Sequence, residues 1–307
     1  MKWNFQKILV TGSSGFIGSH LVEEFAALGI SVIGIDRMPS IFETAIDGFE
    51  EHIGDIGDEY LIRELVSKVD LVLHIAAKPS VPDSWETPGI SLNENIVKTS
   101  IVVDACNKAS IPVYIASSSS IYGIEGTAIN PYRPISPYGV SKAAMEMLIN
   151  AYQTQRSLNG GILRFFNVFG PRHRINVSNP PVIAKIMECL RKDEPFLLQG
   201  SGEQSRDFTY VKDLTKAVRN IVINNRNSLK PIEVSFNRTI SLNGLIQTIE
   251  EVAGRRLSTI SSPERIGDIR TSAADGSIAN FLTEKVEPTP LKQALTETWA
   301  WHKRLRG

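Results

Sequence analysis

Short apolar runs alternate with longer stretches of helical periodicity through the first half of the chain. Lys7 to Thr11 (KILVT) is continuously apolar and stops at a glycine, as a buried strand does. Phe16 to Leu28 then places Ile17, Leu21, Phe25 and Leu28 on one helical face, and Gly29 ends it. Ser31 to Ile35 predicts a second strand, ending at Asp36. Asp58 is a cap for a helix running to about Lys68. Strands are expected over Asp70–Ile75, Pro112–Ala116 and Gly161–Phe166, and helices over Ser91–Lys108 and Pro137 to about Gln155. Continuous apolar strands separated by helices mean a parallel sheet covered on both faces, an α/β fold.

The alternation weakens after about Pro171. Helices are expected near Val182–Arg191, Lys212–Asn224, Leu242–Val252 and Pro290–Lys303, with strand-like pieces at Phe196–Leu198 and Ile232–Ser235. The expected organisation is a doubly wound first domain over 1–172, joined by parts of 208–240. A smaller mixed α/β domain then covers 173–307.

Composition adds limits. The chain has 307 residues, 42% hydrophobic and 21% charged, ordinary for a globular protein. Its 33 basic and 33 acidic residues cancel, so no global field gathers nucleic acid or anionic membrane. Cys106 and Cys189 lie far apart in apolar-periodic stretches and read as reduced core thiols, which suits a cytoplasmic protein. The N-terminus carries neither a signal-peptide pattern nor a membrane span. No metal site is expected.

Candidate chemistry starts at T-G-S-S-G-F-I-G, Thr11 to Gly18, between the first strand and the first helix. Gly12, Gly15 and Gly18 allow a tight turn that brings phosphate oxygens to backbone N–H groups at the helix start, beside Phe16 and Ile17. Asp36, at the end of the second strand, suits the adenosine ribose hydroxyls. It would repel a 2′-phosphate, which favours NAD, while Arg37 keeps NADP open.

Tyr138 and Lys142 stand four apart at the start of the long helix and share a face. A free phenol has a pKa of about 10, and lowering it by about 3 units needs roughly 4 kcal/mol of phenolate stabilisation. A nearby ammonium supplies about 1–3 units, and the positive nicotinamide ring could supply the rest. The run Ser117-Ser118-Ser119-Ser120 at a strand end offers a hydroxyl partner. Strand parity puts Ser118 and Ser120 on one face and does not choose between them.

The glycine turn, the serine run ending in Tyr122-Gly123, and S-P-Y-G-V-S-K together resemble the extended short-chain dehydrogenase/reductase family. The likeness is to its nucleotide-sugar epimerase and dehydratase branch, most of all UDP-glucose and UDP-N-acetylglucosamine 4-epimerases. Further matching segments are Gly54-Asp55-Ile56, His74-Ile75-Ala76-Ala77, Arg164 to Arg172, Gly202 to Phe208 and Arg265-Ile266-Gly267-Asp268. The resemblance implies a Rossmann-like fold and a bound NAD touched by Asp55, Ile56, Ala76, Ala77, Lys78, Asn95 and Phe165. It sets the serine register at Ser118, four before Tyr122, as proton-sharing partner of the base Tyr138. It implies a nucleotide-diphosphate sugar, UDP-linked, held by Ser80, Val81, Ser119 and Asn167 near the sugar. Arg206, Arg265 and Asp268 would hold the phosphates and ribose.

The branch's dehydratases carry an Asp-Glu pair directly after the catalytic hydroxyl, and its decarboxylases a Glu in the same turn. Ser119 and Ser120 stand there instead. The simplest remaining reaction is 4-epimerisation through a transient 4-keto sugar. Ser272, small where glucose-restricted members are bulky, implies tolerance of N-acetylhexosamines. Two departures stand out. Lys98 replaces a usual glycine, implying altered packing or a solvent-directed lysine, and Lys78 is unusual after the alanines. A reductase, dehydratase or decarboxylase on this scaffold and a non-enzymatic NAD-sensing protein are the competing readings. A homodimer packed through the Ser91–Lys108 and Pro137–Gln155 helices is implied.

Overall fold

The computed structural model describes residues 5–123, 132–175, 177–224, 230–263, 271–272, 274 and 286–305. The first strands are β1 (Lys7–Thr11), β2 (Ser31–Asp36), β3 (Phe49–Ile53), β4 (Leu71–His74), β5 (Val113–Ser118) and β6 (Gly160–Phe165). Between them run helices α1 (Phe16–Ala26), α2 (Glu59–Val66), α3 (Val81–Glu86), α4 (Pro88–Leu92), α5 (Lys98–Ala109) and α6 (Pro137–Arg156). A π-helical turn, Asn93–Val97, joins α4 to α5. The later strands are β7 (Val168–Phe169), β8 (Phe196–Gln199), β9 (Ser205–Asp207), β10 (Thr209–Tyr210), β11 (Ile232–Val234), β12 (Thr239–Ser241), β13 (Thr259–Ser262) and β14 (Thr271–Ser272). The later helices are α7 (Val182–Lys192), α8 (Val211–Ile223), α9 (Leu242–Ala253) and α10 (Leu291–His302).

Seven strands form one parallel sheet in the order β11-β6-β5-β4-β1-β2-β3. This is the Rossmann-like doubly wound arrangement, with strand order reversing between β1 and β4. Alternate residues of β1 serve opposite layers. Ile8 and Val10 pack with Leu21 and Phe25 of α1 and Leu214 and Val218 of α8. Leu9 packs on the other side with Ile62 of α2, Val102 of α5 and Ile149 of α6. A third core joins Ile186 and Leu190 of α7, Leu245 and Ile249 of α9, and Leu295 and Trp299 of α10.

One strand departs from the sequence pattern. The edge strand β3 reads FEEHI with mostly exposed side chains, so it carries no buried-strand signal. Ile232–Val234 pairs with β6 in the central sheet, and α8 packs against α1.

The switch point is tied by one buried side-chain chain. Thr11 Oγ1 accepts from the Ile75 and Ala76 N–H groups, each at 3.1 Å, so its proton is left to donate to His74 Nδ1 at 2.8 Å. The His74 Nε2–H then donates to Thr99 Oγ1 at 2.9 Å. This neutral tautomer links β1, β4 and α5, and burial drives the imidazole down to about 3. Burial also holds His20 and His173 at about 4. Folded values below the ordinary 6.5 mean stability is present above pH 6.5 and is lost as pH falls through 4. Calorimetry from pH 7 to pH 5 should show Tm falling by about 5–10 °C. A flat profile would refute the buried-histidine account.

Candidate active site

The carboxyl ends of β1 and β4 frame the glycine turn. Gly12 has φ +71°, and a Cβ there would lie 2.9 Å from Ala76 Cα. A Cβ on Gly18 would lie 2.0 Å from the Gly12 carbonyl oxygen, so a side chain is excluded where α1 meets the turn. The α1 N-cap, Gly15, makes no side-chain cap bond, and no acid sits in the first helical turn. Its N–H groups therefore suit an anion. The Ser13 and Ser14 hydroxyls are buried there with no partner among the described residues. These groups fit a dinucleotide pyrophosphate. The Phe16 ring stacks on His173 at 4.3 Å, and Ile17 packs into the core.

Asp36 closes the adenosine side. Its carboxylate accepts from Ser14 N at 3.2 Å and Met38 N at 3.0 Å, which aims it beside the turn. Arg37 lies against acids, Glu94 at 3.2 Å and Asp55 at 3.9 Å. Ile56 is buried next to Asp55. Lys98 is not directed to solvent. It turns inward to Asp55 at 2.7 Å and Glu94 at 2.6 Å. Partial burial opposes the Asp55 charge, but Lys98 and the Gly57 N–H hold its carboxyl below the usual range.

The π-helical turn places Asn95 in the interior. Asn95 Oδ1 accepts from Lys78 N at 2.8 Å, and Nδ2 donates to Lys78 O at 3.2 Å and to Ser141 Oγ at 2.9 Å. The Ala77–Lys78 segment is thereby stitched to α6. The Lys78 ammonium is half-buried and reaches Thr87 Oγ1 at 3.2 Å, so it is not a free surface group.

Helix α6 starts cleanly. Ser136 accepts from Gly139 N and Pro137 occupies the first turn, where its missing N–H costs nothing. Tyr138 and Lys142 emerge buried on one face, the Lys142 Nζ 6.0 Å from the Tyr138 ring centroid. Lys142 donates to Ala116 O at 2.8 Å. The Ser118 side chain is near enough to Tyr138 to lower its phenol. Ser118 also accepts from Ser120 N at 3.2 Å and donates to Ser120 Oγ at 3.1 Å. Of the two serines that parity left open, Ser118 is the one whose side chain influences the phenol. Ser119 and Ser120 lie in a 3-10 turn. Tyr122 is buried and tied to Arg164 and Glu233, in the role of a core residue.

Burial pushes the Tyr138 phenol up to about 12, against the lowering effect of Ser118. Burial pulls the Lys142 ammonium down to about 8, opposed by the Glu146 carboxylate. The phenol therefore stays protonated near neutral pH unless further positive charge lies beside it.

On the sugar side, Ser80 caps α3 by accepting from Asp83 N, and Val81 is exposed beside it. Ser84, in the same α3 segment, accepts from Tyr138 N at 3.1 Å. Asp83 accepts from Ser178 and Asn179 at 2.8 and 2.9 Å, joining this loop to the segment after β7. Phe165 ends β6 in the core. Asn167 has φ +32° and donates to Asp207 O at 3.0 Å. Arg206 sits in β9, its backbone paired in register with Ser272 of β14. Arg265, Asp268 and the Ser272 side chain lie outside the described residues. Glu146 and Arg164 also escaped assignment, although Glu146 follows Lys142 by four on the same helical face.

The chain matches the NAD dependent epimerase/dehydratase family over residues 8–235 and belongs to it. It is 32% identical over 316 residues to "Uncharacterized UDP-glucose epimerase YtcB" of Bacillus subtilis (strain 168), covering 96% of this chain and 97% of that protein. Among solved structures it resembles the UDP-N-acetylglucosamine 4-epimerase from Methanobrevibacter ruminantium M1 in complex with UDP-N-acetylmuramic acid. That match has a TM-score of 0.89 and 31% identity, over 98% of both chains. MoeE5 in complex with UDP-glucose and NAD matches with a TM-score of 0.87 and 33% identity, over 97% of this chain and 99% of that one.

Gly18→Ala should weaken NAD binding by at least about 10-fold, since the added methyl opens the turn beneath the phosphates. Fluorescence titration measures this, and wild-type affinity in the variant would place the cofactor elsewhere.

Proposed function

We propose that the chain is an NAD-dependent 4-epimerase of UDP-linked hexoses. One observation carries the reading: Tyr138, Ser118 and Lys142 converge at the carboxyl end of β5, with serines at 119 and 120 where the branch's other reactions require acids. NAD supplies a reversible hydride acceptor for sugar C4. Tyr138 takes the proton from the 4-hydroxyl as base and returns it after the keto sugar has presented its other face. Ser118 shares that proton, and the Lys142 ammonium favours the phenolate. Asp36 and the acid-bound Arg37 favour NAD over NADP.

Tyr138→Phe should lower kcat by at least about 100-fold and Ser118→Ala by at least about 10-fold, with NAD still bound. Product analysis by NMR on UDP-, dTDP- and GDP-sugars reads both effects. Wild-type turnover in Tyr138→Phe would sink the proposal. Net consumption of reduced cofactor would favour a reductase instead.

The small residue Ser272 and the likeness to an N-acetylglucosamine epimerase support acceptance of UDP-N-acetylhexosamines. Equal or faster rates on those sugars are expected, and their strict exclusion would reject the idea. A homodimer through α4–α6 is also proposed. Ile90 and Val97 are 51% and 54% exposed, and Val140 and Met147, 44% and 56% exposed, stand seven residues apart on one face of α6. Met147→Glu should turn a dimer into a monomer by light scattering. A wild-type monomer would refute this.

A further inference from the structure

Three consecutive residues at the end of β5 face α6. Ala116 O accepts from Lys142, Ser117 donates to Glu146, and the Ser118 side chain lowers the Tyr138 phenol. Two of the three contacts belong to the site described above. The middle one lies on the opposite side of the strand, in the core.

There Glu146 is fully buried. Its Oε1 accepts from Ser117 Oγ and, at 2.9 Å, from Arg164 Nε. Its Oε2 accepts from Arg164 Nη2 at 2.7 Å and from Tyr132 OH at 3.0 Å. Arg164 in turn donates to Tyr122 OH, which donates to Glu233 of β11. We propose that Glu146 is a positioning residue for the reaction, anchoring Ser117 so that Ser118 faces Tyr138 and setting the negative charge that faces Lys142. This rests on the reading of Tyr138 and Lys142 as the reacting pair.

The positional half follows from the pleat. Neighbouring residues of a strand point to opposite faces, so holding Ser117 inward fixes the direction of Ser118. The electrostatic half follows from the neighbours of Lys142. It is packed against neutral His74 from β4, Tyr138 from its own helix and the Ala116 carbonyl from β5. Arg164 from β6 adds a second positive charge beyond Glu146. Removing Glu146's charge leaves the guanidinium facing the ammonium uncompensated. Lys142 then loses its proton at lower pH, and the phenolate loses its counter-charge.

The test is Glu146→Gln, with Glu146→Asp as the conservative variant. In the cofactor-free protein, NMR of isotope-labelled lysine, assigned through Lys142→Arg, should show Lys142 titrating about one unit lower in Glu146→Gln. The alkaline limb of kcat should shift by the same amount, and kcat at neutral pH should fall at least about 10-fold. Glu146→Asp should restore part of each. Should Glu146→Gln fail to fold, Glu146→Gln/Arg164→Met removes the pair together and is read against Arg164→Met alone, the double variant titrating lower. Ser117→Ala should lower kcat without moving the limb. Unchanged Lys142 titration in the charge-removing variants, or wild-type kcat in Ser117→Ala, overturns the proposal. If the wild type turns over no nucleotide sugar while the titration still moves, the functional reading fails and the electrostatic role of Glu146 stands.

Discussion

The bonding of the β5 end to α6 is the constraint on which the site depends. Residues 116, 117 and 118 engage Lys142, Glu146 and Tyr138 in one short stretch of strand. A strand end and a helix start are normally the parts of a fold with most freedom. Here a backbone carbonyl, a core carboxylate and a phenol remove that freedom in turn. The consequence is that the Ser118 hydroxyl and the Tyr138 phenol are held near one another by the packing of β5 against α6.

Keeping these groups dry has an electrostatic consequence. Burial raises the Tyr138 phenol and lowers the Lys142 ammonium, each toward its neutral form. A cationic ring beside the phenol would supply positive charge that Lys142 alone does not.

The adenosine end is organised by charge as well. Arg37, Glu94, Lys98 and Asp55 form a continuous ion-paired group beside the carboxylate of Asp36. The pairs made by the exposed Arg37 add little stability individually. Their effect is to give each charge a fixed partner, so that Arg37 is not a free receptor for a phosphate. The Thr11–His74–Thr99 chain performs the mechanical counterpart, holding the glycine turn against the end of β4.

Much of this was legible in the residues themselves. Continuous apolar runs marked β1, β2, β4, β5 and β6, because strands buried on both faces carry no polar alternation. The glycine spacing marked the turn, since only an absent Cβ permits the contacts at Gly12 and Gly18. A spacing of four put Tyr138 and Lys142 on one face. What remained hidden depends on residues distant in sequence. β3 is an edge strand with exposed side chains, and its pairing with β2 alone defines it. Parity leaves Ser118 and Ser120 equal, and the influence of Ser118 on Tyr138 depends on α6 being packed against β5. The inward course of Lys98 and the pairing of Glu146 with Arg164 likewise required Asp55 and β6 to be brought alongside. Local pattern states which face of an element is buried. Only the packed structure decides what that face meets, and therefore which charges and hydroxyls act together.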